Sequence, residues 1–187
     1  MSQQPTYEIA QILEQMRADY WRNLEAADQV ESGEQTDYLL IGFGPQRFGV
    51  PASACREVLK LPRIVKVPRL PAHLPGIINL RGEIVAITDL RPLLGLPATE
   101  PAATFRLVVV ASGALRTALL VERVEGLRTI AAAAVAPLAE GSTHAAIDLF
   151  SGKLDDEQGR FLLLLDPQRL LERPEMMINQ KAGVFSE

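Results

Sequence analysis

The chain has 187 residues, of which 48% are hydrophobic and 5% aromatic, and its 19 Lys and Arg against 23 Asp and Glu give a formal net charge of -4. That is enough apolar material for one soluble domain with appendages, but no apolar run reaches the roughly 18 to 20 residues that cross a bilayer. An acidic balance with no sustained basic run disfavours phosphate neutralisation, and so few rings disfavour base stacking, so no nucleic-acid partner is expected. Cys55 is the single cysteine, which rules out an internal disulfide framework or a thiolate metal cluster. The opening residues MSQQPTYE lack a basic n-region and an apolar h-region, so the expectation is a cytoplasmic chain without membrane insertion.

In chain order, Ile9, Ile12, Leu13, Met16, Tyr20 and Leu24 recur at three- and four-residue steps and predict an amphipathic helix from Thr6 to about Ala27, capped by Thr6. Its apolar stripe must dock on its own domain, on a second copy or on a partner. Residues 31–37 read as a polar linker, so residues 1–36 form an extension. The sequence then turns β-rich. Tyr38 to Phe43 and Arg47 to Val50 flank the turn formers Gly44-Pro45-Gln46. Further strands are expected at Val58 to Leu61, Ile64 to Val67, Ile77 to Leu80, Ile84 to Thr88, Phe105 to Ala111, Arg116 to Val121, Val124 to Ile130, Ala146 to Phe150 and Phe161 to Leu165. Short helices are expected at Asp89 to Gly95 and at Pro167 to Arg173, the second capped by Asp166, followed by a tail over 174–187. Short strands separated by turns predict an all-β fold, because a parallel α/β sheet needs a helix between most strands. The Pro-containing stretch Leu96 to Ala103 divides the region into halves too small to be comfortable alone, which predicts two barrels sharing an apolar interface. The expected partition is a first barrel over about 37–96, with some strand exchange, and a second over about 104–166.

Candidate chemistry is sparse, and no catalytic residue, cofactor or metal is expected. Gly42 to Gly49 superficially suggests a phosphate loop, but its third glycine comes late and no helix follows. His73 and His144 have no His or Cys at ligand spacing and read as surface residues. Ser112, Ser142 and Ser151 lack a nucleophile-elbow setting. Asp155-Asp156-Glu157 lacks the alternating oxygens of a calcium loop and reads as a solvated hairpin tip. The sharpest binding candidate is Arg81, at a strand-to-strand turn, whose planar fork suits a partner's carboxylate or, equally, Glu57 in this chain.

The stretch from Pro75 to Pro97, PGIINLRGEIVAITDLRPLLGLP, carries two β-forming runs around Arg81-Gly82 and then Asp89-Leu90-Arg91. It resembles the core signature of the CheW chemotaxis coupling family. Glu57-Val58 resembles the Glu-Val pair after that family's first hairpin, and Leu120 to Val124 its apolar-apolar-Asp-x-Val segment. The resemblance implies two five-stranded SH3-like barrels over about 37–173 and a non-enzymatic adaptor joining chemoreceptor hairpin tips to a CheA-like histidine kinase at membrane-associated arrays. It further implies that Val124 and Leu127 border a receptor groove between the barrels, and that Glu57, Gly76 and Arg81 belong to a region contacting kinase and receptor. Glu122 stands where the family usually has Asp, and minimal members lack the extension before Asp37. That extension leaves open self-association or an inhibitory variant that blocks an interface, and an SH3-like peptide- or RNA-binding module remains the rival from another class.

Overall fold

The computed structural model describes residues 33–138, 146–155 and 161–176. The helix expected over 6–27, His144, Asp156 and Glu157, and the tail beyond Met176 lie outside them. The strands are β1 (Gln35–Phe43), β2 (Gln46–Pro51), β3 (Cys55–Lys60), β4 (Gly76–Leu80), β5 (Glu83–Thr88), β6 (Arg106–Ser112), β7 (Leu115–Val121), β8 (Arg123–Ala131), β9 (Phe150–Asp155) and β10 (Phe161–Leu165). Two short helices, α1 (Leu90–Leu93) and α2 (Pro167–Leu171), follow β5 and β10, each N-capped by an aspartate, Asp89 and Asp166.

The strands form two five-stranded sheets in the orders β8-β1-β2-β10-β9 and β3-β6-β7-β5-β4. Each curls into an SH3-like barrel. In barrel A the chain after β8 bridges to β9 at Ala136 and Lys153, and in barrel B the chain after β3 bridges to β4 at Val65 and Ile77. The all-β, two-barrel expectation therefore stands, but the barrels do not follow the two halves of the sequence. Barrel A takes its first hairpin from the start and three strands from the end, while barrel B is the uninterrupted stretch from β3 to β7. An apolar strand run declares that it is buried without declaring which neighbour buries it, so the partition at residues 96–103 carries no pairing information.

Register shows that the two barrels repeat one topology. Parallel pairing sets Ile87 of β5 against Ala118 of β7, and Leu164 of β10 against Gly49 of β2. Following the antiparallel ladders outward, Val109 of β6 corresponds to Leu40 of β1, and Glu57 of β3 to Gly126 of β8. Both edge strands carry a bulge at the same place, between Cys55 and Glu57 and between Val124 and Gly126. Gly76 and Gly152 are also counterparts, facing Ile87 and Leu164. A Cβ on Gly76 would lie 2.4 Å from the Val65 carbonyl oxygen, and one on Gly152 would lie 2.5 Å from Val135 Cγ1 and 3.0 Å from the Ala136 oxygen. In each barrel, the closing segment crosses a strand at a point where only hydrogen fits.

Side-chain alternation explains the apolar runs. On β6, Leu107 and Val109 fill barrel B while Val108 and Val110 face the other barrel; on β7, Ala118 and Leu120 point inward while Leu119 and Val121 face across. Leu39, Ile41, Phe43, Phe48 and Val50 of barrel A meet them, together with Leu149, Phe150, Leu165 and Leu170. This shared seam is the largest of three apolar clusters, and Leu40, Ile130, Leu154, Leu162 and Leu164 fill barrel A. Burying Leu119 or Ile41 fully contributes about 1.5–3 kcal/mol each, so neither barrel can surrender the seam cheaply.

Four local expectations are corrected. Residues 35–37, read as linker, already pair with β8, their exposed side secured by the Thr129 hydroxyl donating to Asp37 at 2.6 Å. Ile64 to Val67 is a loop with one bridge, because Ile64 turns inward against the barrel B core. Ala146 to Phe150 is chiefly a 3-10 turn, and the strand follows it, over residues whose only large apolar side chains are Phe150 and Leu154. His73 is buried, not on the surface, with Nε2 3.1 Å from the Glu175 carbonyl oxygen and its own carbonyl accepting from the Asp89 N–H.

Candidate protein-binding site

The five residues singled out from the sequence fall into two groups. Glu57, Gly76 and Arg81 lie on barrel B, and Val124 and Leu127 on β8 of barrel A. Leu80 pairs with Glu83, so Arg81 and Gly82 form a two-residue hairpin turn with both φ angles positive, 53° and 92°. Asn79 fixes that turn by accepting the Gly82 N–H at 2.8 Å. The turn points the Arg81 guanidinium back over β3, where Nη2 donates to Glu57 Oε2 at 2.9 Å. Of the two readings open for Arg81, the intramolecular partner is the one occupied here. The Arg81 side chain is still 81% exposed, so its remaining donors face solvent. Gly76 is buried at the base of the same hairpin and serves the barrel closure described above.

Val124 packs against the seam, whereas Leu127, paired with the seam residue Leu39, is 69% exposed. Its topological counterpart is Val58, paired with the seam residue Val108 and 44% exposed. Cross-strand partners project on the same side, so each of the two apolar side chains sits at a margin of the seam, on the edge strand of its own barrel. Sequence reasoning named Val58 only as part of the Glu57-Val58 pair and as the start of a strand, not as a binding residue. Only the register places it on a free edge.

A polar network that the sequence did not announce fixes the two barrels against one another. Arg91, in the first turn of α1, is 2% exposed. Its Nε donates to Asp89 Oδ1 at 2.9 Å and Nη2 to Oδ2 at 2.8 Å, while Nη1 donates to Glu122 Oε1 at 3.2 Å and to the Thr99 hydroxyl. The guanidinium carbon lies 5.4 Å from the Phe105 ring centroid. Glu122, between β7 and β8, accepts the Gly44 N–H at 2.6 Å through its other oxygen, and the Thr99 hydroxyl at 3.1 Å. One carboxylate thus ties the β1–β2 hairpin of barrel A to the helix of barrel B and to the stretch joining α1 to β6. The hydrogen bonds and charge of Asp89 hold Arg91 firmly protonated against the opposing effect of burial. Burial favours the neutral Glu122 carboxyl, but Gly44, Thr99 and Arg91 together outweigh it and hold the group below its usual range. The extra methylene of Glu over Asp gives this side chain its span. Nearby, Arg47 and Arg123 converge on Glu125, at 2.8 and 3.0 Å.

These are bracing contacts and exposed edge side chains. Among the described residues, no three His, Cys, Asp or Glu side chains gather in a way that holds a metal ion. No described helix is long and apolar enough to cross a membrane. The comparisons agree in kind. A family model described as the CheW-like domain matches residues 37–175. A probable chemotaxis protein CheW from Rhizobium etli is 30% identical over 148 residues, covering 78% of this chain and 95% of its own length. Protein FrzA of Myxococcus xanthus is 27% identical over 138 residues, covering 74% and 86%. The crystal structure of the scaffolding protein TtCheW from Thermoanaerobacter tengcongensis aligns at a TM-score of 0.69 with 21% identity, covering 78% of this chain and 99% of that one, and shares its fold.

Proposed function

Since this chain belongs to the CheW-like family, we propose that it is a non-enzymatic adaptor that holds a CheA-type histidine kinase against chemoreceptor tips in a chemotaxis-like circuit, in the cytoplasm beside membrane-bound receptors. The observation that carries the reading is the pair of exposed apolar residues beside the seam, Val58 on the edge strand β3 of one barrel and Leu127 on the edge strand β8 of the other. Two faces on one braced body let two proteins be gripped at once, with apolar contact supplying strength and charge setting orientation. Glu57, Gly76 and Arg81 border the kinase side in this reading, and Val124 and Leu127 the receptor side. Movement of a receptor then biases the kinase through a stiff link, without turnover in the adaptor itself.

Pull-down of a cognate CheA-like kinase and of a receptor fragment tests this on two arms. Arg81→Ala weakens kinase capture while leaving stability within about 0.5 kcal/mol, because exposed ion pairs contribute little. Leu127→Asp weakens receptor capture and spares the kinase. A wild-type chain that retains neither protein, or variants that weaken both partners alike, sinks the assignment.

A further inference from the structure

The end of β3 and the loop after it repeat a three-residue unit: Lys60-Leu61-Pro62, Arg63-Ile64-Val65, Lys66-Val67-Pro68 and Arg69-Leu70-Pro71. Each unit is a base, an aliphatic residue, then Pro or Val. Burial follows the same period. Leu61, Ile64 and Leu70 are half-buried and Val67 is 36% exposed, while every first and third position is exposed. The middle positions hold the run to the body, Leu61 and Ile64 against the core of barrel B. A three-residue step of extended chain is about 9–10 Å, so exposed bases recur at that spacing with exposed Pro or Val between them.

The charge on this run is unanswered. No Asp or Glu occurs from Val58 to Gly82, and Glu57, just before, is engaged by Arg81. Among the described residues, the side chains of Lys60, Arg63, Lys66 and Arg69 meet no carboxylate or other hydrogen-bonding group, whereas Arg47, Arg116, Arg123 and Arg173 on other surfaces each meet a carboxylate. Arg69 keeps its place in the series at φ 66°, a turn conformation that Gly or Asn adopts more readily. The backbone is open as well. The Val65 N–H donates to the Ile77 carbonyl and the Val65 carbonyl accepts the Ile77 N–H, both at 2.9 Å. On an extended chain the flanking groups face the other way, and among the described residues those of Ile64 and Lys66 have no backbone partner. They border a groove lined by Ile64, Lys66, Pro75, Ala98, Glu100 and Pro101.

We propose that this run is a docking edge for an extended segment of another protein in which Asp or Glu recurs among apolar residues. Carboxylates answer Lys60, Arg63 and Lys66, apolar side chains cover Pro62, Val65 and Pro68, and the segment's backbone pairs with the open groups of Ile64 and Lys66. Glu100, on the far wall of the groove, repels a carboxylate and so turns the acidic edge toward the bases. A nucleic acid answers the bases but offers nothing to the apolar positions, where there are no rings for stacking. Val and Pro are also too short to anchor the run in a membrane, where Trp, Phe or Leu is needed. The inference goes beyond the proposed function, because it specifies the chemistry of a segment and stands whether or not a kinase or receptor carries it.

The probe is a synthetic peptide of four Glu-Val-Thr repeats, titrated into the isotope-labelled full-length chain and followed by amide chemical shifts. The amides of Arg63, Ile64, Lys66 and Val67 should move. Affinity should fall about fivefold or more in the combined variant Lys60→Gln, Arg63→Gln, Lys66→Gln, and likewise when salt is raised from about 0.05 to about 0.5 M. Arg128→Gln, at an exposed base on β8, should bind as the wild type does. The replaced side chains are all exposed, so an unchanged thermal midpoint shows that the combined variant is folded. No amide shift with peptide at up to about 2 mM, the range of the weakest specific contacts, overturns the proposal. So does equal binding of a Gln-Val-Thr peptide, or equal binding by the combined variant. Tighter binding through the same bases to vesicles of phosphatidylserine and phosphatidylcholine, or to an oligothymidylate, also overturns it by making this a lipid or nucleic-acid surface. Peptide binding by a chain that captures neither kinase nor receptor supports this inference and removes only the proposed function.

Discussion

Arg91→Met isolates the brace between the barrels. The substitution keeps most of the side-chain volume, and the thioether retains a contact with Phe105, but every donor to Asp89, Glu122 and Thr99 from the side chain is lost. Asp89 is buried and keeps only the Arg91 backbone N–H, at 3.0 Å. Removing one partner of a buried ion pair costs about 3–5 kcal/mol, since the other charge stays behind without water. With a urea m-value of about 2 kcal/mol per molar for a domain of this size, the unfolding midpoint should fall by roughly 1.5–2.5 M at unchanged m. Adding Asp89→Asn removes the stranded charge while keeping an N-cap, and should recover about 1–2 kcal/mol. The acid limb carries a second signature. A carboxyl held low in the folded state contributes stability that is complete above its unfolded pKa, near 4.3, and is lost as pH falls through the lower folded value. Stability of the wild type should therefore decline below about pH 4–5, and the part due to Glu122 should shrink in Arg91→Met, where one of its stabilising partners is gone. An Arg91→Met midpoint within about 0.5 M of wild type, or a double variant no better than the single, refutes the reasoning.

Two further outcomes test packing. Gly76→Ala forces a Cβ toward the rigid Val65 carbonyl, whereas Gly152→Ala first meets the tip of Val135; thermal melts should show both destabilised, by about 2–4 kcal/mol at Gly76 and less at Gly152. Equal melts for Gly76→Ala and wild type would remove the closure role assigned to that glycine. Burial pushes the Cys55 thiol up to about 11. At pH 8 it should react with an aromatic disulfide reagent at least about 10-fold more slowly in the native protein than in urea, because the fall in thiolate fraction exceeds the gain in nucleophilicity.

What the sequence discloses depends on whether the physical cause is local. The hairpin β1–β2, the turn at Arg81-Gly82, and the helices capped by Asp89 and Asp166 are set by neighbouring residues, and all four are legible. The shared interface was legible from the small size of each half, and the LVVV and ALLV runs of β6 and β7 supply it, being buried on both faces. Strand partners are not local, which is why barrel A, assembled from both ends of the chain, could not be read from spacing. β9 is hidden by a different cause. Gly152 sits where an apolar residue would signal a strand, because the closing segment needs that space. At the site, Glu57 and Arg81 are a complementary pair within 24 residues, and their contact was one of two readings. The Arg91–Glu122 link joins residues 31 apart across both barrels, and only the folded register brings them together.

The interleaved topology governs how the molecule is made. Barrel B is one unbroken stretch and has all its strands once Val121 has left the ribosome. The hairpin of barrel A emerges earlier, yet β2 pairs in parallel with β10, which is the last of the described strands to be synthesised. For most of translation that hairpin is a nascent fragment with an apolar flank, and closing so long a loop is entropically slow. Truncation before Leu165 should thus spoil the β1–β2 hairpin, made long before the cut, even though its own residues are all present.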